Sequence, residues 1–278
     1  MARLLGMGDN TADLYLSSAT MYPGGNAVNA AALSARLGHP SSYMGCVGTD
    51  PAGHLILGAL RAEGVDITHC RQIEGLTSWS KIEHRGGDRH FVGSDPGVQG
   101  QWTLDDQDLS FIARHDLVHT SIYSALDEVL PQIRQAAPVL SYDFSSEWTP
   151  ELLIQVCPLL DVAFLSAGEG SLEAAQALAT AAAEHGARVV VVTRGAEGSL
   201  ALSGGELYFQ PSLPAQVTDT LGAGDAFIAA FLQQWAEHQD IPAALNAGAQ
   251  EAARNCATPG AFGHGAPFPA HLLQSTPL

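Results

Sequence analysis

Lysine is almost absent from this chain, since Lys81 is the only one in 278 residues. With arginine included, 12 basic residues stand against 29 acidic ones, which gives a formal net charge of −17 at pH 7. A surface so poor in cations repels the phosphate backbone of nucleic acids and the anionic face of a membrane, so neither is an expected partner. A GxxxxGK[ST] phosphate-binding loop is excluded as well, because no suitable glycine run precedes Lys81.

Cysteine is also scarce, and no two cysteines form a CxxC pair. This spacing favours buried, reduced thiols over a disulfide framework or a zinc site. The chain contains no run of about eighteen apolar residues, and its first residues lack the apolar stretch of a signal peptide. We therefore expect a cytoplasmic protein without a membrane span. The four cysteines are Cys46, Cys70, Cys157 and Cys256.

Short apolar runs recur at regular intervals from residue 117 onward and alternate with helical stretches. Continuous apolar runs, rather than alternating ones, are typical of strands buried on both faces of a parallel sheet. The sequence predicts an α/β fold, a mainly parallel sheet covered by helices, in a single domain over residues 1–278. The predicted strands are 117–119, 139–142, 162–165 and 189–192, and the predicted helices are 26–37, 127–136, 150–160, 171–185 and 226–237.

Two segments, 14–22 and 77–98, interrupt this alternation. They read as exposed strands and turns, with Arg85-Gly86-Gly87-Asp88 as a hairpin tip, and neither has enough apolar residues for a core of its own. Inserted segments of this kind form a lid or an interface, so we expect a small β-strand lid; an ornamental surface hairpin is the alternative.

The motif with the most chemical content is Asp219-Thr220-Leu221-Gly222-Ala223-Gly224-Asp225. The small residues Gly222, Ala223 and Gly224 open a helix, where free N–H groups attract anions. Asp225 stands beside them in the first helical turn. An anion hole next to a carboxylate suits phosphoryl transfer to an alcohol, with the carboxylate as the base. A glycine turn in which Asp225 only complements the helix dipole is the alternative.

This segment resembles the second signature of the ribokinase-like, or PfkB, carbohydrate kinases, and Gly24-Gly25-Asn26-Ala27-Val28-Asn29 resembles the first. The likeness runs from Gly6 to about Ala261. It implies a ribokinase-like three-layer sandwich, with Asp225 as the catalytic base, ATP and Mg²⁺ as cofactors, and a homodimer formed through the lid.

The resemblance assigns further roles residue by residue. Glu169 would manage Mg²⁺ through water, and Asp219 would help to hold a monovalent cation such as K⁺, although a turn acceptor is an equally good interpretation of Asp219. The family often has Asn where this chain has Ser166, and Arg where it has Glu147. The sugar would be bound by Asp9, Asp13, Gly25, Asn26, Asn29 and Arg89, with Asp9 and Asp13 on one turn, and ATP by Ser166, Glu169, Thr193, Gly195 and Gly198.

Within this family the chain is most similar to the fructoselysine 6-kinases, through 8–10, 23–29 and 143–145. The expected reaction is therefore ATP-dependent phosphorylation of a primary hydroxyl on fructoselysine or another fructosamine. A fructokinase, ribokinase or nucleoside kinase of the same family remains open, as does a non-catalytic sugar-binding subunit. A Rossmann dehydrogenase is disfavoured, because Thr11 breaks the GxGxxG pattern that starts at Gly6.

Overall fold

The computed structural model describes residues 1–85, 88–168 and 170–269. The strands are β1 (Leu4–Gly8), β2 (Thr11–Tyr15), β3 (Thr20–Gly24), β4 (Ser41–Gly48), β5 (Arg71–Ile73), β6 (Trp79–Arg85), β7 (Asp88–Asp95), β8 (Leu117–Ser121), β9 (Leu140–Asp143), β10 (Val162–Ser166), β11 (Val189–Thr193), β12 (Ser199–Ser203), β13 (Glu206–Gln210) and β14 (Ala266–Pro267). The helices are α1 (Asn26–Arg36), α2 (Pro51–Ala62), α3 (Asp106–Ile112), α4 (Leu130–Ala136), α5 (Pro150–Val156), α6 (Leu172–Glu184), α7 (Ala223–His238) and α8 (Ile241–Asn255).

The main sheet has nine strands in the order β13-β12-β11-β10-β9-β8-β1-β4-β5. The strands from β11 to β5 are parallel to one another, and β12 and β13 add an antiparallel edge. Each face of this sheet carries a buried apolar cluster under helices. The predicted α/β fold with a mainly parallel sheet is confirmed.

All four predicted strands and all five predicted helices are present, with small shifts at their ends. The helix predicted over 150–160 ends at Val156, and a 3₁₀ turn follows. Pro158 explains this early end, because its ring fixes φ and removes the backbone N–H that another α-helical turn would need. The helix predicted from Ala226 begins three residues earlier, at Ala223, so Asp225 lies in its first turn.

A second, mixed sheet of five strands, β14-β3-β2-β6-β7, contains both predicted lid segments. We call it the small sheet. The strands β6 and β7 pair as a hairpin up to Arg85 and Asp88, while residues 86 and 87 of the predicted tip lie outside the described residues.

The prediction that these segments are exposed is wrong for much of the small sheet, although neither segment forms a core of its own. Leu14, Met21 and Trp79 are buried in one apolar cluster. The cluster forms because the small sheet packs against Ala52 of α2 and against Phe268, both distant in sequence. Residues that look sparse within one segment therefore bury each other once the segments meet.

Cys46, Cys70 and Cys157 are free thiols, in agreement with the interpretation of their spacing. Cys46, Cys157 and Cys256 are buried and Cys70 is partly buried. Across the described ranges, we find no helix with the length and apolar character needed to cross a membrane.

Candidate active site

The candidate site lies at the carboxyl edge of the main sheet, where ligands bind in parallel α/β sheets. Five neighbouring strands, β1, β8, β9, β10 and β11, end there in that spatial order. Three of these strand ends carry a residue that the sequence predicts to bind sugar or nucleotide, namely Asp9 after β1, Ser166 on β10 and Thr193 on β11. We call the region after β1, β8 and β9 the acceptor side, and the region after β10 and β11 the nucleotide side.

The helix α1 brings two of the predicted sugar-binding residues to this edge. It begins after Gly25, whose φ of +103° is unfavourable for other residues. A Cβ atom at Gly25 would lie 2.5 Å from the Cα atom of Asn10, so this position also needs the close approach of two backbones. Asn26 and Asn29 are three residues apart and therefore share one face of the first turn of α1.

Asp225 on α7 accepts hydrogen bonds from both of these asparagines on α1. The Nδ2 atom of Asn26 donates to Asp225 Oδ1 at 2.8 Å, and the Nδ2 atom of Asn29 donates to Asp225 Oδ2 at 2.6 Å. Burial raises the pKa of Asp225 to about 6, against the two lowering hydrogen bonds. The group is therefore ionised at neutral pH yet more basic than an ordinary aspartate, which suits a general base.

Asp143, at the end of β9, is a site residue that the sequence-based assignment missed. The same Asn26 Nδ2 atom donates to Asp143 Oδ2 at 3.0 Å, so one amide group joins two carboxylates. Burial raises the pKa of Asp143 to about 7, and the charge of Asp225 adds to this shift. Its position at the end of a predicted parallel strand was a signal that could have marked it.

Asp9 and Asp13 do not share a turn, which corrects that expectation. Asp9 follows β1 and is buried, with Oδ1 accepting from the hydroxyl groups of Ser121 and Ser124, each at 2.9 Å, and from the backbone of Ala27 at 3.2 Å. Burial raises the pKa of Asp9. Asp13 instead lies inside β2, paired with Tyr22 of the neighbouring strand. The small sheet starts between the two residues and separates them.

The predicted anion hole lies at the start of α7. Gly222 precedes the helix with φ +77°, and a Cβ atom there would lie 2.5 Å from the Cβ atom of Ala261. The Ala223 N–H bonds to Thr220 O at 3.3 Å. The next two N–H groups, of Gly224 and Asp225, have no acceptor within the helix because they belong to its first turn. An anion placed there meets these donors and the positive end of the helix dipole.

The predicted nucleotide loop follows β11. Thr193 ends this strand, and its Oγ1 atom donates to Leu165 O of the adjacent strand at 3.4 Å. Gly195 begins a short 3₁₀ turn that Gly198 closes. Ser166 ends the neighbouring β10, so these residues line one stretch of the sheet edge. Glu169 and the side chain of Arg89 lie outside the described residues.

Asp219, the predicted cation ligand, lies three residues before the anion hole and is buried. Its Oδ1 atom accepts from the backbone of Leu221 at 3.0 Å, as a turn acceptor does. Its Oδ2 atom accepts from the Tyr15 hydroxyl at 2.5 Å and from the Gly260 backbone at 2.9 Å. Asp219 thus ties the small sheet and the C-terminal segment to the loop. The described part of the chain contains no group of three His, Cys, Asp or Glu residues arranged to hold a metal.

Known proteins resemble the chain over nearly its whole length. The family model for the pfkB family carbohydrate kinases matches residues 6–265. The chain is 43% identical over 270 residues to fructosamine kinase FrlD of Bacillus subtilis (strain 168), covering 96% of this chain and 95% of that protein. It is 34% identical over 262 residues to fructoselysine 6-kinase of Escherichia coli (strain K12), covering 94% of this chain and 100% of that protein.

Two solved structures show the same fold. Arabidopsis thaliana ribokinase complexed with ribose and ATP superimposes with a TM-score of 0.81 at 23% identity, covering 95% of this chain and 97% of that one. A putative ribokinase II from E. coli in complex with ATP and Mg²⁺ gives a TM-score of 0.79 at 22% identity, covering 94% and 95%. The fold is therefore ribokinase-like, and the chain belongs to the pfkB family of carbohydrate kinases, phosphotransferases that act on a sugar hydroxyl.

Proposed function

We propose that this kinase transfers the γ-phosphoryl group of ATP to the primary hydroxyl of a fructosamine, a fructose joined to an amine as in fructoselysine. The observation that carries the proposal is the charge of the acceptor side. In the described part of the chain, the hydrogen bonds to Asp9, Asp143 and Asp225 come from hydroxyl, amide and backbone groups, all neutral. A cationic amine is attracted by such carboxylates, whereas an acidic sugar is repelled.

The rim of the acceptor side adds to the negative potential. Tyr123 is half-exposed, and its phenol pKa is raised by partial burial and further by the charges of Asp143, Glu147 and Asp9. Glu147 is exposed and stands where the family resemblance leads us to expect Arg. An exposed carboxylate contributes at most about 1 kcal/mol to an ion pair, so Glu147 tunes the preference while the buried carboxylates set it.

The base in this proposal is Asp225. The two asparagine amides hold both carboxylate oxygens, so the group keeps one orientation, and its pKa of about 6 lets it accept the hydroxyl proton at neutral pH. ATP supplies the phosphoryl group. The N–H groups at the start of α7 lie beside Asp225 and would steady the charge of the transferred group.

The residues on the nucleotide side fit ATP. The glycine-opened start of α7 leaves N–H donors for phosphate, and the turn from Gly195 to Gly198 keeps side chains away from the end of β11. Ser166 and Thr193 present hydroxyl groups at the adjacent strand ends. We assign the handling of hydrated Mg²⁺ to Glu169, and the support of a monovalent cation such as K⁺ to Asp219.

The acceptor would be read by Asp9, Asp13, Asn26 and Asn29, with Arg89 toward the amino-acid carboxylate. One observation supports a polar ligand here, since the Oδ1 atom of Asn29 is buried and has no hydrogen-bond partner in the described chain. Such an atom costs about 1–3 kcal/mol unless it is satisfied, and a substrate hydroxyl would satisfy it.

We also propose that the small sheet closes over the sugar and mediates a homodimer. Its edge strand β7 carries Phe91, whose side chain is 64% exposed. A large apolar side chain on an edge strand favours contact with a second copy. The free thiols of Cys46, Cys70 and Cys157 agree with a cytoplasmic location.

The test is a comparison of phosphoryl acceptors with ATP-Mg²⁺. We expect kcat/KM for fructoselysine to exceed that for fructose and ribose by at least about tenfold, or about 1.4 kcal/mol. Glu147→Gln should reduce this preference by up to about fivefold, mainly through KM. Glu151→Gln removes another exposed carboxylate, from α5, and serves as the matched control with no change.

Equal or better use of fructose, ribose or a nucleoside would overturn the substrate assignment and leave the sugar kinase intact. Absence of ATP turnover with every sugar would instead favour a non-catalytic sugar-binding protein.

A further inference from the structure

A fully buried histidine lies behind the candidate base, and neither the sequence motifs nor the proposed function uses it. His119 is in the middle of β8 with no solvent exposure. Its Nε2 atom is 2.8 Å from Asn26 Oδ1, and its Nδ1 atom is 2.8 Å from Ser141 Oγ. Ser141 is the register partner of His119 on β9, so the sheet itself fixes this contact.

The positions of the protons in this chain follow from counting donors. Asn26 Oδ1 carries only lone pairs, so His119 Nε2 must bear a hydrogen and donate it. Burial lowers the pKa of His119 to about 3, so the ring is neutral and its Nδ1 atom is an acceptor. The Ser141 hydroxyl therefore donates to Nδ1, although Val118 O also lies 3.3 Å from the Ser141 oxygen.

This arrangement determines which way the Asn26 amide faces. With Oδ1 bound to His119, the NH₂ group points to Asp225 Oδ1 and Asp143 Oδ2, at 2.8 and 3.0 Å. In the opposite orientation the amide oxygen would face two carboxylates and the amide nitrogen would face an N–H group. Both contacts would then be repulsive, and no hydrogen bond would remain.

We propose that His119, oriented by Ser141, is a positioning residue that locks the Asn26 amide and thereby sets the orientation and basicity of Asp225. The proposal rests on the proposed role of Asp225 as the base. Four groups that titrate or carry charge meet here, namely Asp9, Asp143, Asp225 and His119. The neutral side chains packed around these four groups are Asn26 and Asn29 of α1 and the serines Ser121, Ser124 and Ser141.

The first test is independent of activity. Long-range ¹H–¹⁵N NMR on the purified protein distinguishes the two neutral forms of an imidazole ring. We expect His119 to stay neutral down to about pH 4 in the Nε2–H form. Detection of the Nδ1–H form would overturn the proposal, because Nε2 would then have no hydrogen to donate to Asn26 Oδ1.

The second test uses variants with a matched control. His115 is also buried and also has a serine partner, with Nε2 at 2.8 Å from Ser42 Oγ, but it is not in contact with the candidate site. His119→Leu removes the donor to Asn26, so we expect kcat/KM to fall about tenfold or more and KM for ATP to stay constant. His115→Leu should keep the wild-type value.

The pKa of the Asp225 carboxyl group distinguishes a positioning role of His119 from a role in stability alone. The Asn26 hydrogen bond lowers the pKa of Asp225, so its loss in His119→Leu should raise that pKa, measured by ¹³C NMR titration with Asp225→Asn as the assignment standard. The acid limb of the kcat/KM profile should move to higher pH by the same amount. His119→Gln, which retains an N–H donor, should recover part of both effects.

The outcomes keep the two proposals apart. If both histidine variants lose activity equally and the pKa of Asp225 is unmoved, the positioning role is refuted while the kinase assignment stands. If the wild type phosphorylates no sugar, the proposed function fails, and the tautomer and the carboxylate titration still decide on the role of His119. Should His119→Leu fail to fold, the tautomer measurement on the wild-type protein and the His119→Gln variant still decide the role of His119.

Discussion

Replacing Asp225 by asparagine removes a negative charge at the centre of the site with almost no change in volume. In the wild type both carboxylate oxygens accept hydrogen bonds, from Asn26 at 2.8 Å and from Asn29 at 2.6 Å. An asparagine at 225 offers only one oxygen, so its NH₂ group must oppose one of these two donors. The variant therefore loses the base and one of the two contacts that orient position 225.

The expected loss of turnover is large. A pKa of about 6 makes Asp225 roughly nine-tenths ionised at pH 7, so nearly every wild-type molecule carries the active base. Loss of a general base costs about 10²–10⁴-fold, and the misplaced contact adds to this. We expect kcat to fall by at least about a hundredfold, whereas the affinity for ATP should change little because Asp225 lies on the acceptor side.

The stability of the Asp225→Asn variant relative to the wild type should increase with pH, even though its turnover is low. Because burial raises the pKa of Asp225 above its value in the unfolded chain, the folded wild type binds extra protons between about pH 4 and pH 6. The contribution of Asp225 to the free energy of unfolding is therefore fully present at low pH and is lost as the pH rises through about 6. Asp225→Asn does not titrate, so its Tm relative to wild type should increase from pH 5 to pH 8.

The assay combines initial rates at saturating ATP, calorimetric ATP binding and thermal melting at both pH values. Glu173→Gln is the matched control, since Glu173 is an exposed acid in the first turn of α6 and can only complement a helix dipole. This variant should keep wild-type turnover and lose at most a little stability. More than a tenth of wild-type turnover in Asp225→Asn would refute the role of Asp225 as the base.

Three further measurements test the site and the small sheet. In the wild type, kcat/KM should fall about tenfold for each pH unit below 6, because the base must be ionised. A flat profile down to pH 5 would contradict the raised pKa of Asp225. Gly25→Ala should destabilise the protein by about 1–3 kcal/mol, because residue 25 has a φ of +103° and a Cβ atom there would clash with a backbone. The control Gly58→Ala lies in open space on α2 and should stabilise the protein by about 0.4–1 kcal/mol, so equal melting temperatures would refute the strain argument. Phe91→Asp on β7 should halve the mass measured by light scattering, and a monomeric wild type would refute the dimer.

The sequence predicted the main sheet well because its strands are continuous apolar runs that need no information about partners. The two family signatures marked Asn26, Asn29 and Asp225 as site residues, and the structure brings the three together. His119 could not be found in this way, because its role arises from parallel register with Ser141 and from the approach of α1 across the sheet. Such contacts depend on tertiary packing, which a local pattern does not encode.

The burial of the small sheet was missed for a similar reason. Leu14 and Trp79 have modest apolar neighbours in sequence, and their cluster closes only with Ala52 and Phe268 from elsewhere in the chain. Asp143 is a different case, since its place at a strand end was visible. Its importance depends on sharing one amide with Asp225, a contact between residues 26, 143 and 225.

The way the small sheet joins the main body has a mechanical consequence. Only Asp9 and Asn10 separate β1 from β2, and only Gly25 separates β3 from α1. One of these two links contains the carboxylate Asp9, and the other leads directly into Asn26, whose amide binds Asp225. Because the links are so short, a displacement of the β2–β3 hairpin would be transmitted to both residues, and the orientation of the base would depend on the position of the hairpin.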